Sequence, residues 1–339
     1  MGNKNRQVRA LLLRNHLGVY CAVIGIAVII FFLCVEFFMG SKFFKNPGEG
    51  PFRELNMIAL DDTLGWRLRS GSYDVFTAEG EKGIQYTLHE LRGRDTGGSD
   101  RSAEQSVFFL GGSFVFGQGL DDDETLSWKF QENQPDITVR NYGVMGYGTY
   151  QTSLYMKEII PKTTGARLVI YGLIQEHEER NVAAASWVED FVLRAHSGKV
   201  RFPYIKSVDG MDFHSEIFLG YPYSRAVSKF VMPRLILKAV MQIVSRRRER
   251  YKDKVLEFLL LDMDRYCREQ GVKFSVLILQ ADAQKYAQYS DFVLSHGINF
   301  LQCPLMTSEY GLPGDGHPNA DMNNQWAECV SKQLGRALN

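Results

Sequence analysis

From residue 106 onward the chain alternates short apolar runs with amphipathic stretches, and this alternation restricts it to one class of fold. "SVFFL" (106–110) is a continuous apolar run, as in a strand covered on both faces, and "ITVRN" (137–141), "RLVIYGL" (167–173), "KFSVLIL" (273–279) and "INFLQC" (298–303) read as further strands. Between them lie the helical stretches "ETLSWKFQEN", "YQTSLYMKEII" (150–160) and "KDKVLEFLLLDMDRYCREQG" (252–271), a further one after 279, and a last from about Ala320 to Leu338. Strands alternating with helices predict an α/β domain of three layers, with a central, mostly parallel sheet and helices on both faces. Residues 182–250 interrupt the alternation as an insertion. It holds "VRFPYIKSVDGMDFH", a hairpin about Asp209-Gly210. It also holds "SKFVMPRLILKAVMQIVSRRRER", whose apolar part of about 14 residues is too short to span a bilayer. That stretch reads as a helix capping the insertion's own core, or as one lying on a bilayer surface by an apolar face with a basic end.

The N-terminal segment is of a different kind. Leu17 to Val35 contains no charged residue and, as a helix, measures about 28 Å, close to the hydrocarbon thickness of a membrane. Lys4, Arg6, Arg9 and Arg14 precede it. The basic flank predicts a cytoplasmic N-terminus (1–15) and an uncleaved transmembrane signal-anchor (16–39), with the rest of the chain in the periplasm or outside the cell. "FFMGSKF" fits a signal-peptidase site poorly. Residues 40–105 are glycine-rich and polar, and read as a juxtamembrane linker with short strands. The 39 basic and 39 acidic side chains balance, so there is no electrostatic footprint of a nucleic-acid binder. Of the five cysteines, Cys21 and Cys34 fall in the apolar segment. Cys267, Cys303 and Cys329 are an odd number on predicted helix and strand, without metal-ligand spacing, and are expected to be buried free thiols.

Polar residues and glycines recur just past successive strands, where open α/β sheets bind ligands. Ser113 follows the first strand in "FFLGGSFVFGQG", and Gly146 follows the second in "NYGVMGYG". Gln175 and His177 follow the third in "GLIQEHEERN", and Asp315 and His317 follow the last in "GLPGDGHPN". Each block alone is an ordinary turn, but parallel strands carry all of them to one edge. Pro318 pushes His317 toward extended backbone, and in an extended stretch Asp315 and His317 face one side. A carboxylate beside an imidazole that reaches a serine is the arrangement of a nucleophilic triad.

"FFLGGSFVFGQG", "NYGVMGYG" and "DGHPN", in this order, resemble the SGNH (GDSL-type) hydrolase family over about 106–339, less the insertion. The resemblance implies an SGNH/flavodoxin-like fold with Ser113 as nucleophile, His317 as base and Asp315 as its partner. It also implies an oxyanion hole formed by the backbone N–H groups of Ser113 and Gly146 and a side-chain donor, with no metal or organic cofactor. The family's third block usually supplies an asparagine. Here Gln175 stands at that place with the same amide, and His177 is the alternative, while Asn181 lies further along. The last block is Asp-x-His, as in bacterial polysaccharide acetylation proteins of the same superfamily. The implied activity is that of a membrane-anchored serine esterase removing O-acyl groups from cell-envelope carbohydrate or lipid esters. An O-acyltransferase and a catalytically silent glycan-binding module are the alternatives. The implied partners are an acylated small molecule or glycan, the membrane and envelope-assembly proteins.

Overall fold

The computed structural model describes residues 19–20, 23–37, 56–76, 83–91, 93–98, 105–188, 202–206, 215–217, 231–314 and 316–334. An N-terminal hairpin pairs β1 (Ile58–Asp61) with β2 (Gly65–Leu68), and is followed by β3 (Gly71–Phe76), β4 (Gly83–His89) and β5 (Gly93–Arg94). The α/β part then runs β6 (Ser106–Gly111), α1 (Ser113–Phe116), α2 (Leu126–Asn133), β7 (Thr138–Gly143), α3 (Thr149–Ile159), β8 (Ala166–Ile174) and α4 (His177–Asn181). In the insertion, β9 (Pro203–Ile205) pairs antiparallel with β10 (Ser215–Ile217), and α5 spans Val231–Glu249. α6 (Lys252–Glu269), β11 (Lys273–Gln280), α7 (Ala283–Ser295), β12 (Asn299–Leu301) and α8 (Ala320–Leu334) complete the chain.

The main sheet has eight strands in the order β12-β11-β8-β6-β7-β5-β4-β3. β12, β11, β8, β6, β7 and β5 run parallel, and β4 and β3 continue the sheet antiparallel. The expected α/β architecture is thus present, and the strand boundaries fall within a few residues of the sequence reading. β6 shows why it reads as a continuous apolar run. Val107 and Phe109 face a core shared with Phe130 of α2 and Trp326 of α8. Phe108 and Leu110 face the opposite core, with Met156 of α3, Leu256 and Met263 of α6, and Tyr289 of α7. Helices cover both faces, so every position of the strand is buried.

Three expectations are corrected or refined. The boundary drawn at 105/106 falls inside one sheet, because β5 pairs with β7 and brings β4 and β3 with it. Gly83–His89 alternates apolar and polar residues as a strand should, but the two-residue β5 that links it to β7 carries no periodic signal of its own. Cys303 and Cys329 are not free thiols: they form a disulfide with a Cα–Cα separation of 5.8 Å, joining the end of β12 to α8. Spacing could not reveal this pair, whose members meet only once α8 packs beside β12. Cys267 is free and buried, as expected, and burial pushes its thiol up to about 12. At the N-terminus, residues 23–37 are helical, and Ile24, Ile29, Phe31 and Leu33 are exposed. Among the described residues no helix is long and apolar enough to cross a membrane, and the expected segment 16–39 lies only partly within them. The turn of the hairpin expected at Asp209-Gly210 lies outside the described residues.

Candidate active site

Ser113 begins α1, a helix of only four residues that starts where β6 ends. The strand delivers the serine to the carboxyl edge of the sheet. Gly112, the N-cap, turns the chain without a side chain. A side chain there would crowd its neighbours: a Cβ on Gly112 would lie 2.9 Å from His177 Nε2, 3.0 Å from Arg180 Nη1 and 3.2 Å from the Tyr147 carbonyl oxygen. Ser113 itself is nearly buried, at 4% exposure.

The structure brings His317 to this serine across 204 residues of sequence, with Nε2 at 2.9 Å from Ser113 Oγ. The imidazole leans against Phe114, ring centroids 5.5 Å apart, and Phe114 in turn faces Trp326. The loop carrying it is closed by Leu312 N–H donating to the His317 carbonyl (2.7 Å) and Asn319 N–H donating to that of Tyr310 (2.8 Å). Asp315 lies outside the described residues. Residues 313–314 before it form a turn, and Pro318 after it pairs with Gly311 in an antiparallel bridge. Gly314 and Gly316 have φ of +73° and +76°, and Gly316 N–H donates back to the Leu312 carbonyl. Glycine on both sides makes that left-handed backbone accessible.

Gly146 lies in the loop after β7, with φ +81°. Val144 N–H of the same loop donates to the Gly111 carbonyl (3.0 Å), which ties the loop to the serine turn. Trp66 of β2 supports it: its Nε1 donates to the Met145 carbonyl (3.0 Å), and Tyr147 OH donates to the Trp66 carbonyl. A Cβ on Gly146 would press on the Trp66 ring at 3.1 Å. Among the described residues no backbone carbonyl outside helices and strands engages the Ser113 or Gly146 N–H.

The third block divides. Gln175 faces the neighbouring strand and helix: its N–H donates to the Gln280 carbonyl (3.0 Å) and its Oε1 accepts from Asp282 N–H (2.9 Å). No described contact brings it to Ser113. His177 is fully buried at the start of α4 and points back to the serine turn. Tyr171 OH donates to Thr149 Oγ1 (2.8 Å), so in the 2.6 Å contact between Tyr171 OH and His177 Nδ1 the imidazole donates. That assigns the lone pair to Nε2, which has no described hydrogen-bond partner. Burial holds the His177 pKa well below its ordinary value, and the Arg180 charge adds to this, so the ring is neutral. Arg180, one turn further along α4, donates from Nη1 to the Tyr147 carbonyl (2.8 Å). The serine turn therefore has a neutral imidazole and a guanidinium against Gly112 and His317 against Ser113.

Sequence reasoning did not single out Trp66, Arg94 or Arg180. Arg94 is fully buried and donates to the carbonyls of Phe116 (2.9 Å), Gly117 (2.7 Å) and Leu120 (2.6 Å) and to Asp122 (2.8 Å). It thus takes up carbonyls at the end of the short helix that Ser113 begins, positions left without intrahelical donors. A single arginine in a polar stretch gives no sign of such a role. For Arg180 the signal was its place seven residues past the end of the third strand's apolar run.

No protein-family model matches the chain, and no curated protein matches it. Solved structures do. Those that align include G-D-S-L lipolytic proteins. A family member from Veillonella parvula DSM 2008 aligns at 9% identity with a TM-score of 0.40, covering 68% of this chain and 99% of that one. TesA aligns at 14% identity and TM-score 0.39, covering 68% of this chain and 99% of that one. The acetyl xylan esterase Est2A from the rumen bacterium Butyrivibrio proteoclasticus aligns at 10% identity and TM-score 0.39, covering 76% of this chain and 66% of that one. At such identities the chemistry of the site has to rest on its own geometry.

Proposed function

We propose that the chain is a serine esterase acting on O-acyl esters of cell-envelope carbohydrate or lipid. The observation that carries this reading is the 2.9 Å contact between Ser113 Oγ and His317 Nε2 at the carboxyl edge of a parallel sheet. Ser113 Oγ attacks the acyl carbonyl while its proton passes to His317 Nε2. The tetrahedral oxyanion is held by the N–H groups of Ser113 and Gly146. When the intermediate collapses, the alcohol leaves with the proton from His317, and the acyl group stays on Ser113. Water, deprotonated by His317, then releases the acid. Asp315 orients the imidazole through its other nitrogen. For the third donor we favour Arg180 over Gln175 and His177. Gln175 is turned toward Asp282, whose N–H its Oε1 accepts, and His177 in the tautomer above accepts at Nε2, whereas Arg180 reaches the serine turn at Gly112.

Anchoring by the N-terminal helix and an extracytoplasmic location belong to the same reading. They are supported by the uncharged stretch with its basic flank and by the Cys303–Cys329 disulfide, a bond that persists mainly in oxidising compartments. A C-terminal reporter active only after export is expected to be active, and a stable but inactive fusion overturns the topology.

The activity is tested by labelling the purified protein with a fluorophosphonate. Ser113 is expected to be modified, and Ser113→Ala to abolish labelling. An unlabelled, folded protein supports the silent module. Given an activated acetyl ester with and without short oligosaccharides, the esterase releases acetate at one rate. Acetyl appearing on the sugar, with turnover rising as acceptor is added, identifies a transferase.

A further inference from the structure

Among its described side chains, α5 packs by one side. Met241 and Ser245 are buried, Met241 in a cluster with Val188, Phe202 and Tyr204. At its end Arg248 donates to the carbonyls of Val182 (2.9 Å) and Ala183 (3.0 Å), with its guanidinium over the Tyr204 ring, and Glu249 accepts from Ala185 N–H (3.0 Å). The helix is thereby fixed to the domain in one rotation. Its opposite side presents Leu235, Ile236, Val240, Ile243 and Val244 to solvent, with Ile243 at 73% and Ile236 at 53% exposure. These positions are spaced by three, four or one, and form a single face at 100° per residue. Arg246, Arg247 and Arg250 are exposed and continue the face at its end.

We propose that this face lies on an anionic lipid bilayer, with its apolar side chains at the boundary of headgroups and acyl chains and the arginines against lipid phosphates. Two features select lipid as the occupant. An apolar stripe ending in clustered arginines is complementary to a surface that is apolar below and anionic above. The chain's own N-terminal helix also presents exposed apolar side chains over 23–37, which in the reading above hold the domain beside such a surface. The proposal rests on that anchoring and is independent of the ester chemistry. Docking through α5 turns a tethered domain into one of fixed orientation, which sets the direction in which Ser113 faces.

The test uses the full chain with a protease site placed at 46–52, ahead of β1, reconstituted into vesicles of phosphatidylcholine alone or with phosphatidylglycerol. After cleavage the domain is expected to float with the anionic vesicles and to be released from the neutral ones. Ile243→Glu with Val244→Glu should lower the bound-to-free ratio on anionic vesicles by about tenfold or more, with unchanged unfolding midpoint and fluorophosphonate labelling. Leu294→Glu, an exposed apolar position on α7, should leave retention unaltered. Release of the wild-type domain to the same extent as the double variant overturns the proposal. Release as a dimer that the double variant dissociates overturns it in favour of a second copy. An uncleaved chain that does not float overturns both docking and anchor, while loss of labelling with docking intact bears on the esterase alone.

Discussion

The two walls beside Ser113 are built differently. The His317 wall is a loop with exposed glycines, closed on itself by a few backbone bonds. The α4 wall is knitted into its surroundings: His177, Glu178 and Asn181 are buried, and Asn181 accepts from Tyr150 N–H (3.0 Å). Glu178 meets Lys285 at 2.8 Å, Tyr289 OH at 2.7 Å and Lys252 at 3.6 Å. The proposed base is thus carried on a loop held by a few local backbone bonds, and the α4 wall is held by long-range contacts. Substitutions on the first wall should cost activity with little stability, and those on the second should cost stability as well.

The largest expected effects break the comparison at its centre. Ser113→Ala and His317→Ala should each lower ester turnover by about 10⁴-fold or more, while urea unfolding midpoints stay near wild type. Wild-type turnover in His317→Ala would remove the base from that wall. On the other side, Glu178→Ala removes the buried acceptor of Lys285 and Tyr289, while Lys285 keeps Asp253 at 2.8 Å and Lys252 keeps Glu179 at 3.6 Å, and should cost about 1–3 kcal/mol in urea unfolding. A loss below about 1 kcal/mol would make the two walls equivalent.

Arg180→Met should lower kcat by about 10²-fold with KM little changed, as for loss of an oxyanion donor. Gln175→Ala should change kcat less than about threefold; the reverse order returns the donor role to the amide. The smallest effect is in the pH dependence of stability. The native His177 pKa is depressed, so below about 6.5 the unfolded chain binds a proton that the native state does not. Stability contributed by the neutral ring is complete above that pH and falls as pH drops through it, by up to about 1.4 kcal/mol per unit. In His177→Gln this part of the slope should vanish. An unaltered slope would show that the ring is protonated in place.

Much of the α/β core was legible because its strands are buried on both faces, so "SVFFL" and "KFSVLIL" could be recognised without knowing their neighbours. The serine and histidine blocks were legible for a related reason, since each follows a strand and the parallel topology brings strand ends together. The short β5 was not legible. Gly93 and Arg94 become strand only through pairing with β7, and Arg94 acquires its role from carbonyls at 116, 117 and 120. Burial pattern alone also could not separate Gln175 from His177. Their orientation depends on the contact with Asp282 in one case and on Tyr171 and Gly112 in the other.

By itself the sequence determined the order of strands and helices, the edge on which polar loops gather, and the residue types available there, because local apolar periodicity encodes burial. The tertiary structure decided which of those residues meet. It set the His317–Ser113 contact, the facing of His177 and Arg180 toward Gly112, the pairing of Cys303 with Cys329, and the side of α5 left in solvent. Each depends on distances between segments far apart in the chain, and those are defined only once the sheet and its helices have packed.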